Sequence, residues 1–129
     1  MDVLLDSNIL IPLLAGRSHD LPPTILGLLA SAETRCHVSA ASLWEVAIKV
    51  RLGKLELAVG LDEIIPSLSK AGLRVLRITE YHAVAEALPI PPTCDPFDRL
   101  LLAQCAMESL RLVTLDRALA DHPLAWRVA

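Results

Sequence analysis

Four acidic residues stand where a catalytic cluster could form: Asp6, Glu45, Asp98 and Asp116. Asp6 follows the apolar run Val3-Leu4-Leu5, and Asp116 closes the run Leu112-Val113-Thr114-Leu115. Open parallel sheets bind ligands at the carboxyl ends of their strands, so two acids at two strand ends should share one rim. Asp98 falls in the first turn of a helix starting near Pro96. Its neighbours three, four and seven positions on are Leu101, Leu102 and Cys105, an apolar stripe that faces inward. Glu45 lies amid Leu43, Trp44, Val46 and Ala47, with Ala41 and Ile48 flanking it on one helix face. A carboxylate in that much apolar surface needs a partner or a metal. Carboxylates gathered in one pocket repel and raise each other's pKa. Mg²⁺ or Mn²⁺ relieves that repulsion through hard oxygen ligands, and can then activate a water for attack at phosphorus.

Each acid also has a plainer reading. Asp6 fits a turn or cap, and Asp116 fits the N-cap of a short last helix. Glu45 can pair with Lys49 at i,i+4. Asp95 fits an N-cap, with Pro96 at the first helical position and Asp98 at the third, where the helix dipole favours negative charge. The joint reading differs from the single ones, because four independent caps or pairs need not fall where one pocket collects them.

The elements that must position these residues alternate along the chain. Strands are expected at 1–5, 36–38, 73–78, 111–114 and 126–128, and helices at 22–33, 40–52, 61–71, 81–88, 95–109 and 116–120. Asp6-Ser7-Asn8 reads as a turn or cap, followed by a loop through Gly16. Ser39 is the expected cap of the helix that bears Glu45, and Gly53 its stop. The longest irregular stretches, about 14–22 and 89–94, are candidates to border a site. Short apolar strands between helices predict an α/β sandwich with a mostly parallel central sheet.

The bulk composition sets limits. A chain of 129 residues suits one compact domain, and 53% apolar residues suffice for a sizeable core. That content is aliphatic: there are only two Trp, one Tyr and one Phe. Net charge is −3, whereas a protein that binds nucleic acid by charge alone should be basic. A metal in an acidic pocket would offset that balance locally, as would a basic surface on a partner or a second copy. Three cysteines (Cys36, Cys94 and Cys105) without paired spacing argue against a disulfide framework and fit a reducing cytosol. No Cys/His spacing suggests zinc. No basic segment leads into a long apolar stretch at the N-terminus, and no apolar run is long enough to span a bilayer. The expected setting is the cytoplasm.

The motifs match a known family in order and spacing along the whole chain. Leu4-Leu5-Asp6-Ser7-Asn8-Ile9-Leu10 resembles the opening strand and aspartate of PIN-domain nucleases. Ser39–Lys49 resembles the helix that bears the family's glutamate, and its continuation Val50-Arg51-Leu52-Gly53-Lys54-Leu55 is similar to the VapC-like toxins of bacterial toxin–antitoxin pairs. Asp95–Gln104 matches the same subgroup, and Leu112-Val113-Thr114-Leu115-Asp116 resembles its last acidic motif.

The resemblance implies a PIN-like three-layer α/β/α sandwich with four to five strands, spanning residues 1–129 as a single nuclease domain. It implies an RNA phosphodiesterase dependent on Mg²⁺ or Mn²⁺. Asp6 and Asp98 would be direct metal ligands. Glu45 and Asp116 would act through water, or position the attacking one. Thr114 matches a hydroxyl residue that hydrogen-bonds a carboxylate, and Ser7 stands where threonine is commoner, with the hydroxyl kept. The implied partners are RNA, a cognate antitoxin whose tail blocks the acidic groove, and a second copy of the chain, giving a homodimer and a heterotetramer or larger assembly with antitoxin.

Thr93-Cys94 departs from the basic residue expected before Asp95, which weakens an RNA contact from that loop. With no His expected nearby, Cys94 reads as a bystander, and His19, His37, His82 and His122 receive no role. Arg17, Lys49, Arg51, Lys54 and Arg99 either line an RNA path or are solvated surface, and Arg99 could tether a carboxylate. Helices 22–33 and 61–71 are mostly core, with some apolar surface for a partner.

Three other readings compete. A haloacid-dehalogenase-like phosphatase needs a second acid where Asn8 stands and a late lysine, but no Lys follows Lys70. A receiver domain needs an aspartate after the third strand, where the chain has Thr79-Glu80. A catalytically inactive PIN-like binding module is the third, although all four acidic positions are filled.

Overall fold

The central strands are apolar on both faces, as strands covered by helices on both sides must be. The computed structural model describes residues 1–127. It contains strands β1 (Asp2–Leu5), β2 (Arg35–Ser39), β3 (Arg74–Leu76) and β4 (Arg111–Val113), all parallel, in the order β3-β2-β1-β4. Val3, Leu5, Cys36, Val38 and Val113 pack into one core, while Leu4 and Leu112 pack into another. This alternation is the period-two rule of a pleated strand, and it makes three layers.

Helices α1 (Ser7–Leu14), α2 (Pro23–Ala30), α3 (Ala40–Arg51) and α4 (Ile64–Lys70) cover the first face. Helices α6 (Pro96–Glu108) and α7 (Arg117–Ala120) cover the second, with α5 (Glu80–Val84) packed against α6. Right-handed crossovers require this division. The chain steps outward from β1 to β2 to β3 with its helices on one face. It then reverses, crossing to the far side of β1 through helices on the other face. The reversal leaves a switch point between β1 and β4, and such points are where open α/β sheets bind ligands.

Several elements differ from expectation. The region after Asp6 is a helix, α1, entered without a loop. Ser7 and Asn8 look like turn residues and Pro12 lies inside the helix, yet burial of Ile9, Leu10 and Leu14 outweighs those local preferences. α5 ends at Val84, not at Leu88. Ala85 is already extended and Ala87 is drawn into the second core, ahead of Pro89, which disfavours helix before it. The helix expected at 61–71 begins with a 3-10 turn, Leu61–Glu63, because Pro66 cannot donate to the α ladder. Of the expected last strand, Trp126 N–H donates to Leu112 O at 2.8 Å beside an isolated Leu112–Ala125 bridge; Val128 lies outside the described residues. α2 and α4 contribute Ile25, Ile64 and Leu68 to the core but leave Ile65 exposed.

Candidate active site

Asp6 sits between β1 and α1, and the Asp6 N–H continues the sheet by donating to Val113 O at 2.9 Å. Its Oδ1 caps α1 by accepting from Ser7 N–H at 2.7 Å, with the Ser7 hydroxyl at 3.4 Å. Its Oδ2 accepts from the Thr114 hydroxyl at 2.7 Å and, more weakly, from Asn8 Nδ2 at 3.5 Å. Thr114 donates its one proton to Asp6 and accepts from the Asp116 N–H at 3.0 Å and from Asn8 Nδ2 at 3.3 Å. Asn8 completes the strap by accepting from Leu115 N–H at 3.1 Å. By sequence Asn8 reads as a turn or cap residue. Only the pairing of β1 with β4 brings it within reach of residues more than a hundred positions away.

Asp116 caps α7, accepting from Ala118 N–H at 2.9 Å through Oδ1. Asp95 caps α6 in the same way through Phe97 N–H at 2.9 Å. Glu45 is mostly covered and pairs with Lys49 at 2.9 Å. Asp98 differs from all of these. It is only 8% exposed, and among the described residues its carboxylate has no hydrogen bond of good geometry. The Thr93 hydroxyl lies near enough to draw its pKa down, although that oxygen is itself buried without a well-formed bond.

The electrostatics join the four acids. Burial pushes Asp98 up to about 6; Thr93 opposes this, and the charges of Asp95, Asp6 and Asp116 add to it. Burial also raises Asp6, against the hydrogen bonds from Thr114 and Ser7, with the charge of Glu45 adding to the rise. Asp6 therefore feels Glu45, and Asp98 feels Asp6 and Asp116, so one field links residues from α3, α6 and the ends of β1 and β4.

The sequence pattern of the PIN domain family matches residues 3–123, a span that includes all four acids. The chain belongs to the PIN domain family. PIN domains are generally nucleases, and PIN nucleases generally use divalent metal ions. This PIN domain also matches a solved toxin–antitoxin complex from Klebsiella pneumoniae, with 16% identity over 97% of this chain and 96% of that one, and a TM-score of 0.61. At that identity the likeness speaks to the fold. No curated protein matches the chain. The family membership displaces the phosphatase and receiver readings.

The donor set of this PIN domain fits a hard divalent cation. It is all oxygen, and it includes a buried carboxyl that resists ionising. Among the described residues no three His, Cys, Asp or Glu side chains gather closely enough to hold an ion between them. Mg²⁺ is ordinarily held by one or two carboxylates with water in its other positions, which asks less of the protein than a full cage.

Other expected contacts fall elsewhere. Arg99 tethers no member of the site: it is exposed and lies 3.9 Å from Glu86. A cleft of 370 Å³ lined by His82, Pro91, Pro96, Arg99 and Leu102, among others, contains none of the four acids. His82 is buried, accepting from the Thr79 N–H and bonded to Glu108. Cys36 and Cys105 are buried, and burial pushes the Cys105 thiol up to about 12, so it is no nucleophile. Among the described residues no helix is long and apolar enough to cross a membrane.

Proposed function

We propose that this PIN domain is a metal-dependent endoribonuclease that serves as the toxin of a cytoplasmic, VapC-like toxin–antitoxin pair. The observation that supports this most is Asp98: a buried carboxyl with a raised pKa, with only the Thr93 hydroxyl to draw it down and the charge of Asp6 adding to the rise. Asp6 and Asp98 would hold Mg²⁺ or Mn²⁺ directly. Asp116 and Glu45 would act through water. Bound there, the cation would lower the pKa of a water and neutralise charge on the scissile phosphate. Asp98 must lose its proton to serve as a ligand. Glu45, paired with Lys49, would orient the attacking water and accept its proton. Thr114, Ser7 and Asn8 are positioning residues that fix the Asp6 carboxylate.

RNA as substrate follows from the motif resemblance, and with a net charge of −3 a bound metal would bridge the acidic pocket to the anionic backbone. The antitoxin partner is supported by the same motifs and by the fold shared with a toxin–antitoxin complex. A homodimer, joined by antitoxin into a heterotetramer or larger assembly, rests on the resemblance alone.

The test compares the purified protein with its Asp6→Asn and Asp98→Asn variants on RNA with Mg²⁺, Mn²⁺ or EDTA. Cleavage by the parent that needs metal and is lost in both variants is the expected result. Metal-independent cleavage, or full activity in both variants, would falsify the site. Metal-supported RNA binding without cleavage would favour a binding module.

A further inference from the structure

We infer that Trp44, propped by Phe97, forms a stacking ledge for one unpaired nucleobase of an RNA strand entering the carboxylate site. This rests on the ribonuclease reading above. The chain holds only four aromatic residues, and two of them meet here with ring centroids 6.0 Å apart and planes inclined at 49°. Trp44 precedes Glu45 on α3, and Phe97 precedes Asp98 on α6. Neighbouring Cα atoms lie about 3.8 Å apart, so each ring flanks an acid of the site. Successive residues on a helix point about 100° apart, so Glu45 and Asp98 can be covered while the residues before them stand at the rim.

The burial pattern follows that geometry. Asp98 is buried and Phe97 half-buried, while Trp44 is 62% exposed. Leaving an indole in water forgoes a large apolar burial, and the tilted contact with Phe97 steadies it without covering it. An aromatic face is a sequence-tolerant platform, since every base has a π face, and stacking supplies affinity that an acidic protein cannot draw from charge. Arg51 is exposed and lies seven residues along α3, on the same helix face as Trp44. It offers a cation for the phosphate backbone of the same strand. Phosphate groups would thus face the acid site and Arg51, with a base laid on the ring between them.

The probe is a short single-stranded oligoadenylate, set beside a duplex of matching length and an abasic ribose-phosphate oligomer. Binding is measured in Mg²⁺ by anisotropy in an Asp98→Asn background, which prevents cleavage. Indole quenching is followed with Trp126→Phe added, so that Trp44 alone reports. The expected result is quenching by oligoadenylate and not by the abasic oligomer, with Trp44→Ala weakening oligoadenylate about tenfold, or about 1.4 kcal/mol. Duplex and abasic binding should change little. Trp44→Phe should recover most of the loss, and an unchanged Tm of Trp44→Ala separates the loss from a folding defect. On the Asp98-intact chain, Trp44→Ala should raise KM more than it lowers kcat. Equal binding of oligoadenylate by Trp44→Ala while the parent still cleaves RNA overturns the ledge and leaves the ribonuclease reading standing. A change in oligomeric state of Trp44→Ala with unchanged RNA affinity also overturns it and assigns the indole to a protein interface. A parent that neither binds nor cleaves RNA removes the ribonuclease reading, and the ledge with it.

Discussion

At the scale of single residues, structural and chemical roles coincide. Asp6 and Asp116 each use Oδ1 as a helix cap, and Glu45 holds Lys49. Asp98 has no such role, which makes it the most informative member. Its carboxyl in the fold sits near 6, above its ordinary value of 3.8. Between those values the folded protein binds more protons than the unfolded one, so this group's contribution lowers stability as pH rises from about 4 to about 6. In EDTA, the Tm advantage of Asp98→Asn over the parent should grow across that window and then level off. An advantage that does not vary with pH would remove the shift. Thr114→Val tests the strap. It strips the Asp6 carboxylate and the Asp116 N–H of a shared partner, so denaturant melts should show a loss of about 1–3 kcal/mol, with cleavage reduced as Asp6 loosens.

At the scale of elements, caps and buried faces decide where the acids point. α6 starts at Asp95 and Pro96, and that start sets Asp98 one turn in, above Leu101, Leu102 and Cys105. Asp95→Ala should cost about 1 kcal/mol in equilibrium unfolding, and Asp95→Asn should restore it because Asn caps equally well. A loss that Asn does not restore would point to a role for the charge itself. α1 has little in its sequence to make it a helix other than its apolar face. Leu10 is fully buried there, so Leu10→Ala should cost about 2–5 kcal/mol by the same measurement.

At the scale of the whole molecule, repulsion among the acids is held in place by the two cores on either side of the sheet. A cation bound only by the folded state should therefore stabilise it. At a hundredfold excess over Kd, Mg²⁺ should add about 2.7 kcal/mol, read as a rise in Tm in the parent that is absent in Asp6→Asn. An equal rise in both would place the ion elsewhere.

The sequence determined the layers, the parallel strands and the acids themselves. Those features follow from local rules: strands apolar on both faces, helix stripes, and caps such as Ser39 and Asp95. The N-cap roles of Asp95 and Asp116 and the Glu45–Lys49 pair were legible for the same reason, since each joins residues within four positions. Tertiary structure decided the rest. α1 forms because buried Ile9, Leu10 and Leu14 override Pro12, and α5 stops early because Ala87 is drawn into the core. Asn8 and Thr114 meet only because β1 pairs with β4, and Trp44 meets Phe97 only because α3 approaches α6. No local pattern encodes those contacts, because they depend on the strand order β3-β2-β1-β4, which sets the ends of β1 and β4 side by side.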